Sequence, residues 1–284
     1  MTEPSQLFPG KQFISTILDA LETKTAMSGS LGRVYLMRAA MAGVIIGVMY
    51  LVYFSVVAAF SAIGGGGFYD LGRLVGALIF GFALVFIYYS KSELLTSNMM
   101  IVSIGAYYRR TTGSRALRIL GLCFLGNIIG GVAVAGLVAF STLSDGAVGD
   151  AMNTAVDHKL GYVSEGFAGW TDLFVRAILC NFMINLAMLL VYNGLIKDDL
   201  TKSIAMIVSV FIFAFAGFEH SVANTVLFTI VGFTEGIDIG AALANIGIVL
   251  AGNFVGGGLL IGLYYAYAND DRRHLRKHPE VSDN

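Results

Sequence analysis

Six long stretches of apolar residues run along the chain, separated by shorter polar segments. Each contains the roughly 20 consecutive, mostly apolar residues that a helix needs to cross a bilayer. The segment before the first stretch carries charges but no short apolar core, so we expect no cleaved signal peptide. The pattern predicts an all-α membrane protein with six transmembrane helices, at residues 34–60, 70–108, 115–142, 171–196, 201–232 and 239–268.

Polar residues interrupt the second and fifth stretches near their middles, at residues 91–98 and 217–224. Charged side chains at membrane depth are costly and tend to be functional. Non-helical backbone is tolerated at that depth only where it is buried in protein or lines a cavity. We therefore predict that the second and fifth helices are broken.

Two motifs recur 126 residues further along the chain: ELLTSN at 93–98 corresponds to EHSVAN at 219–224, and GNIIGG at 126–131 to GNFVGG at 252–257. The repetition predicts two three-helix units, at about 34–142 and 171–268. Because three is odd, the second unit is inverted in the membrane, an arrangement typical of transporters. The alternative is an old duplication that left no site.

Composition excludes several classes of protein. With 56% hydrophobic residues, 13% charged residues and a net charge of −1, the chain is neither an ordinary soluble enzyme nor a nucleic-acid binder. Two cysteines in apolar runs suggest neither a disulfide framework nor a zinc site. We expect no metal and no cofactor.

The distribution of basic residues predicts the orientation. Thirteen of the 18 lysines and arginines lie in the N-terminal segment, in the loops after the second and fourth stretches, and in the tail. The positive-inside rule therefore places both termini in the cytoplasm of a multi-pass cell-membrane protein. Residues 1–33 form a flexible cytoplasmic segment, 34–268 the transmembrane channel domain and 269–284 a cytoplasmic tail.

His220 is the sharpest candidate for a functional side chain, because it is the one histidine of four inside a predicted span. A buried histidine can change charge near neutral pH or donate a hydrogen bond. The alternative is a core histidine bonded to a carbonyl group. Thr96 begins a half-helix and either bonds to substrate or to His220, or bonds back to its own helix.

Two interpretations fit Glu93 and Glu219, which occupy equivalent positions in the two repeats. They either bind a cation or relay protons, or they accept hydrogen bonds at the breaks and pair with Arg38, Arg176 or Lys91; we favour the second interpretation. We expect Asn98 and Asn224 to hold the broken backbone in the same way. The amide of Asn181, midway along the fourth span, needs a polar partner.

The motifs GFEHSVAN at 217–224, ELLTS at 93–97 and CN at 180–181 resemble those of the formate/nitrite transporter family. The resemblance covers essentially the whole chain. It implies an aquaporin-like protomer, a homopentamer with one pore per protomer, and passage of small monovalent anions such as formate, nitrite, hydrosulfide, acetate or lactate. It also assigns the central histidine to His220, the pore threonine to Thr96 and a vestibule lysine to Lys159, which lies in an external loop.

The resemblance further assigns the hydrophobic constrictions of the pore. The family often has bulkier residues at two of these positions, which are Leu95 and Ala223 here. The full set is Phe80, Leu84, Leu94, Leu95, Ile184, Phe213 and Ala223.

We expect formate to be drawn to Lys159 and to pass the constrictions as neutral formic acid, after receiving a proton from or through His220. Desolvation favours the neutral form of a carboxylic acid. Alternatives are the same fold carrying nitrite, hydrosulfide or lactate, a neutral-solute channel of aquaporin type, a cation channel using Glu93 and Glu219, and a membrane-embedded enzyme. The partners are then small anions, protons and the lipid bilayer.

Overall fold

The computed structural model describes residues 4–277 and is all-helical over that range. The terminal residues 1–3 and 278–284, parts of the predicted N-terminal segment and tail, lie outside the described residues. Among those described, five helices are long and apolar enough to cross a membrane. They are Gly32–Ser61, Tyr69–Tyr89, Gly113–Ala139, Gly166–Tyr192 and Ile239–Ala268.

The predicted span 70–108 corresponds to Tyr69–Tyr89 followed by a separate helix, Leu95–Tyr107, and the predicted span 201–232 to two shorter helices, Asp199–Phe215 and Ser221–Thr234. A short 3₁₀ turn occupies Ile63–Gly66 and a π-helical segment occupies Phe254–Leu263. The α-helices are α1 (Pro4–Leu7), α2 (Lys11–Ser30), α3 (Gly32–Ser61), α4 (Tyr69–Phe80), α5 (Phe82–Tyr89), α6 (Leu95–Tyr107), α7 (Gly113–Ala139), α8 (Ala147–Ser164), α9 (Gly166–Tyr192), α10 (Asp199–Phe215), α11 (Ser221–Thr234), α12 (Ile239–Asn253), α13 (Tyr264–Ala268) and α14 (Arg272–Lys277). Tyr69–Tyr89 is thus divided into α4 and α5, and Ile239–Ala268 into α12, the π-helical segment and α13.

Glycines bring α3 and α7 into close, parallel contact. A Cβ atom on Gly126 would lie 2.7 Å from the carbonyl oxygen of Leu36, and one on Gly130 would lie 1.9 Å from that of Ala40. Both helices therefore begin at one face of the molecule, next to α2, and end at the opposite face, next to α8. We call these the α2 face and the α8 face.

The helix α9 packs in the same way on the end of α12 and on the π-helical segment that follows it. Gly252 approaches the carbonyl oxygen of Phe174 and Gly256 that of Ile178, at 2.6 and 2.1 Å from an added Cβ. These two helices begin at the α8 face, where α9 follows α8. They therefore run in the opposite direction to α3 and α7.

The N-terminal segment, which we expected to be flexible, is largely helical. Within α2, the side chains of Phe13, Ile17 and Leu21 are buried against the rest of the molecule. Leu21 fits over the glycine at position 105, where a Cβ would lie 2.2 Å from a Leu21 methyl group. The apolar face of α2 therefore packs on α6.

We expected Lys159 to lie in an external loop, but the structure places it on the helix α8. This helix buries Met152, Val156 and Tyr162 against its neighbours, which include α9, α3 and α12. A four-residue spacing between the first two of these places them on one face of the helix. The connection between α7 and α9 is thus an ordered cap on the α8 face.

A candidate anion-permeation site

His220 is buried and immediately precedes α11, and its own backbone is extended. Its Nδ1 accepts a hydrogen bond from the backbone N–H of Ala223 at 3.0 Å, so the ring caps the helix N-terminus. Its Nε2 lies 3.0 Å from Oγ1 of Thr96, the second residue of α6. The two segments that the sequence singled out therefore meet through these side chains.

The cap defines the tautomer of His220. Because Nδ1 accepts from a backbone N–H, a neutral ring carries its proton on Nε2 and donates it to Thr96 Oγ1. The Thr96 hydroxyl hydrogen then has no acceptor among the hydrogen bonds of the described residues. It can be offered to a polar atom that enters the site.

Two asparagines that the sequence analysis did not select hold the segments before α6 and α11. Asn127 Oδ1 accepts from Leu95 N at 3.2 Å, and its Nδ2 donates to the carbonyl oxygens of Ala39 and Glu93 at 2.8 and 2.9 Å. A single buried amide therefore connects α3, α7 and the start of α6.

Asn253 makes the same three contacts at the segment before α11. Its Oδ1 accepts from Ser221 N at 2.9 Å, and its Nδ2 donates to the carbonyl oxygens of Ala177 and Glu219 at 2.8 and 3.0 Å. The glycines of the GNIIGG and GNFVGG motifs have the spacing of close helix packing, which accounts for the glycines but not for the asparagines. Their recurrence at the same offset was the signal that could have identified these asparagines.

The carboxylates of Glu93 and Glu219 pair with lysines rather than with Arg38, Arg176 or Lys91. Lys159 Nζ lies 2.8 and 2.7 Å from the two carboxylate oxygens of Glu219, and Lys24 Nζ contacts Glu93. In both ion pairs the carboxylate side chain is less than 10% exposed. Lys24 was not expected at this position, because it lies outside the predicted spans.

Asn98 and Asn224 hold these carboxylates instead of the broken backbone. Asn98 Nδ2 donates to Glu93 at 3.1 Å and Asn224 Nδ2 to Glu219 at 2.6 Å. Asn224 Nδ2 also donates to Asn245 Oδ1 on α12, at 2.9 Å. Each glutamate is therefore flanked by one ammonium group and one amide.

Asn181 lies on α9, and no hydrogen bond of the described residues joins it to His220. Its Nδ2 donates to the carbonyl oxygens of Thr96 at 3.1 Å and Asn253 at 2.7 Å. The neighbouring Asn185, which the sequence analysis did not select, also donates to the Thr96 carbonyl, at 3.2 Å. These amides fix the α6 backbone beneath the Thr96 hydroxyl.

A vestibule of about 620 Å³ opens on the α8 face and reaches His220. Lys159 and Glu219 line its wall, together with Arg73 and Arg176. The two guanidinium groups donate to the carbonyl oxygens of Phe215 and Gly217 at 3.3 and 3.1 Å, so they offset the negative end of α10. Each of these basic groups also has a carboxylate partner: Arg73 pairs with Asp70 at 3.7 Å, Arg176 with Asp172 at 2.9 Å and Lys159 with Glu219. The vestibule therefore brings fixed charges of both signs close to the polar site.

Below the vestibule lies an apolar cavity of only about 20 Å³, room for about one water molecule. Phe80, Phe213 and His220 line both spaces and separate them. Six of the seven expected constriction residues line the small cavity, whereas Leu95 is buried elsewhere. The lining consists of Ile46, Phe80, Ala83, Leu84, Ile87, Leu94, Ile184, Val210, Phe213, His220 and Ala223.

The fold and this site define a helical membrane protein of the channel and transporter class, with a charged vestibule leading to a buried polar pair between apolar walls. The family model described as formate/nitrite transporter matches residues 11–267. The chain belongs to the formate/nitrite transporter family, as the sequence motifs predicted.

Characterised relatives include both formate and nitrite proteins. The chain is 28% identical over 224 residues to the formate channel FocA of Haemophilus influenzae, an alignment covering 70% of this chain and 75% of the relative. It is 31% identical over 199 residues to the nitrite transporter NirC of Salmonella typhimurium, with coverages of 69% and 71%.

Solved structures share the fold. A chain described as an FNT family ion channel superposes with a TM-score of 0.77 at 24% identity, covering 92% of this chain and 100% of that chain. A pentameric formate channel with formate bound gives a TM-score of 0.66 at 21% identity, with coverages of 83% and 96%.

Proposed function

We propose that the protein carries small monovalent anions across the cell membrane, with formate as the preferred substrate. The observation that supports this best is the His220–Thr96 pair, which lies between apolar side chains directly below a vestibule containing Lys159. Similarity to both FocA and NirC keeps nitrite as the alternative substrate on the same fold.

We further propose that the chain is an inverted repeat of two three-helix units, with the second and fifth helices broken. Three observations support the repeat: the matching contacts of Asn127 and Asn253, the two glutamate–lysine pairs, and the opposite directions of the two glycine-packed helix pairs. With the termini in the cytoplasm, the α2 face is cytoplasmic and the α8 face external. By analogy with the pentameric formate channel, the protomers form a homopentamer.

Permeation begins with capture of the anion at Lys159. An ionised carboxylate cannot cross the apolar cavity without a large desolvation cost. Because desolvation favours the neutral form of the acid, formate takes up a proton as it leaves the vestibule. Neutral formic acid then passes Phe213 and Leu94, while the Thr96 hydroxyl donates a hydrogen bond to it.

The hydrogen bonds of His220 favour neutral-acid passage over donation of a proton stored on the ring. A second proton would have to bind Nδ1, which already accepts from Ala223 N. The neutral ring instead orients the Thr96 hydroxyl. In this scheme the proton comes from the vestibule side, and His220 sets the geometry at the narrowest point.

A cation channel is disfavoured because each candidate carboxylate faces an ammonium group. Glu219 has Lys159 on both oxygens and Glu93 has Lys24. The net charge of each pair is zero, so neither offers a strong cation site. The apolar cavity below the vestibule also lacks the ring of oxygen atoms that would replace the hydration shell of a cation.

Uptake of radiolabelled formate into proteoliposomes, at external pH 5.5 and 7.5, tests the proposal. We expect faster uptake at pH 5.5, because the neutral acid is more abundant there, and competition by unlabelled formate. Nitrite, lactate and hydrosulfide serve as competitors. Carriage of nitrite in the absence of formate uptake would overturn the assignment of formate, and no transport of any of these anions would overturn the proposal.

Two substitutions of His220 separate its roles. His220→Asn retains a side-chain acceptor for the α11 cap, whereas His220→Phe loses both hydrogen bonds. We expect slower formate uptake by both variants, with the acceleration at low pH retained. Loss of that acceleration in both variants, while His220→Asn still folds, would instead identify the histidine as the proton carrier.

A further inference from the structure

We propose that a cavity on the α2 face binds the phosphate headgroup of an anionic phospholipid. The cavity is about 990 Å³ in volume and lies between the end of α6 and the chain segment from α13 to α14. It shares no lining residue with the vestibule or with the apolar cavity around His220. Its lining is Tyr107, Arg109, Tyr267, Ala268, Asp270, Arg272, Leu275 and Arg276.

The charges in this cavity are predominantly positive. Arg272 forms a two-point ion pair with Asp270, with nitrogen–oxygen distances of 2.7 Å for both contacts. Within the described residues, 4–277, no carboxylate lies within ion-pair distance of Arg109 or Arg276. Two guanidinium groups are therefore left to attract an anion. A single guanidinium group can donate two parallel hydrogen bonds to the oxygens of one phosphate group.

The side chains of Arg272 and Arg276, and the backbone of Arg109, are held in place by their surroundings. The Arg272 guanidinium lies over the rings of Tyr107 and Tyr108, at 5.4 and 4.8 Å from their centroids. Arg109 adopts a left-handed backbone conformation with φ of 56°, where its N–H bonds to the carbonyl oxygen of Ala106. The Arg276 Nε bonds to the carbonyl oxygen of Arg272 at 3.2 Å. Because these groups are already ordered, binding of a ligand carries a smaller cost in conformational entropy.

The position of the cavity favours a lipid over a soluble phosphate. The cavity lies at the end of the membrane-spanning helix Ile239–Ala268, and Tyr267 belongs to both. The exposed side chains of Leu260, Leu263, Tyr264 and Tyr267 follow one another at helical spacing and form a stripe leading away from the cavity along that span. Tyrosines at this level are typical of the headgroup region, and basic pockets between membrane helices bind anionic headgroups. An acyl chain can therefore lie along the stripe while its phosphate occupies the cavity.

Binding of phosphatidylglycerol and phosphatidylcholine with identical acyl chains to the delipidated full-length protein, measured by native mass spectrometry, tests the proposal. We expect phosphatidylglycerol to bind more tightly. Replacing both unpaired arginines, as Arg109→Asn with Arg276→Gln, weakens its binding by roughly 10- to 30-fold. Asparagine is chosen at position 109 because it tolerates the left-handed backbone conformation.

Arg115→Gln with Arg118→Gln is the matched control, because it removes two exposed arginines from the start of α7, just beyond the same loop. We expect this control to bind phosphatidylglycerol as the parent does, and Arg109→Lys with Arg276→Lys to retain most of the binding. The proposal would be overturned if the Arg109/Arg276 and Arg115/Arg118 double variants lost phosphatidylglycerol binding equally. It would also be overturned if the parent bound the two lipids equally. Displacement of the lipid by millimolar inorganic phosphate would assign the cavity to a soluble phosphate instead.

Discussion

Glu219 and Lys159 form a buried ion pair at the wall of the vestibule, and Asn224 completes the coordination of the carboxylate. A buried ion pair is weak evidence for stability, because desolvation offsets most of the attraction. Removing one partner is costly, since the other charge then stays buried and unpaired. In the proposed function, the pair sets the charge that an approaching anion meets: Lys159 compensates Glu219 and also presents its ammonium group to the vestibule.

We predict that Lys159→Gln raises the KM for formate by roughly 10-fold, about 1.4 kcal/mol, because an uncompensated Glu219 carboxylate then repels the anion. Adding Glu219→Gln removes that charge and should recover part of the loss. The measurement is the concentration dependence of formate uptake into proteoliposomes. An unchanged KM in the folded single variant would argue against capture at Lys159.

At the level of helices, close packing depends on glycines at the contact points. In α7, Gly130 faces the backbone of Ala40, and in the equivalent contact Gly256 faces that of Ile178. Close approach of this kind lets backbones pack where lipid and protein are equally apolar. It also brings the carbonyl oxygens of Ala39 and Ala177 within reach of Asn127 and Asn253.

We predict that Gly130→Ala destabilises the protein by about 1–3 kcal/mol, because the new Cβ would lie 1.9 Å from a carbonyl oxygen and the helices must separate. Gly136→Ala, on the same helix with nothing within 4 Å of the added atom, is the matched control. Thermal unfolding in detergent measures both. Equal unfolding temperatures for the two variants would contradict the packing argument.

At the scale of the whole molecule, the start of α2 meets the segment that follows α13 on the α2 face. The backbone N–H of Gly10 donates to Asn269 Oδ1 at 2.7 Å, and Lys11 pairs with Asp271 at 2.5 Å. Tyr107 donates to Asp270 at 3.0 Å, which connects the same region to α6. The C-terminal segment is thus fastened both to α2 and to α6.

The hydrogen bonds from the Arg272 side chain, which outweigh the effect of partial burial, lower the pKa of Asp270 to about 2. Because the folded pKa is depressed below the usual value of about 3.9, the stabilisation is present above pH 4 and is lost as the pH falls from about 4 towards 2. We predict that Asp270→Asn lowers stability by about 1 kcal/mol at pH 7, allowing for the exposure of Arg272.

The unfolding temperatures of Asp270→Asn and the parent, compared in detergent at pH 7 and below pH 2, check this prediction. The difference should vanish at the lower pH, because the parent aspartate, with its pKa of about 2, is then largely protonated. Asp271→Asn, at the neighbouring ion pair with Lys11, serves as the control for a general loss of charge. A difference that persists below pH 2 would contradict the assigned cause.

The apolar stretches and their polar interruptions followed from the sequence, because hydropathy is a property of consecutive residues. Within residues 4–277, five of the six stretches contain a helix long and apolar enough to cross a membrane. Family membership followed from short motifs, and the family comparison confirmed it. The sequence also selected Glu93, Glu219, Thr96 and His220, since polar side chains inside apolar stretches are conspicuous without any knowledge of their partners.

The hydrogen-bond and ion-pair partners of these residues did not follow from the sequence, because they depend on which helices pack together. From the sequence we expect Lys24 in a flexible segment and Lys159 in a loop, because helices of mixed polarity lack the apolar signal of a membrane span. In the structure both lysines lie on ordered helices and pair with the buried glutamates. The roles of Asn127 and Asn253 required the close approach of parallel helices, which is a property of packing. Hydropathy and motifs are local along the chain, so they defined the helices and their unusual residues. Hydrogen bonds and ion pairs join residues far apart in sequence, so only the tertiary structure decided which of those residues form the site.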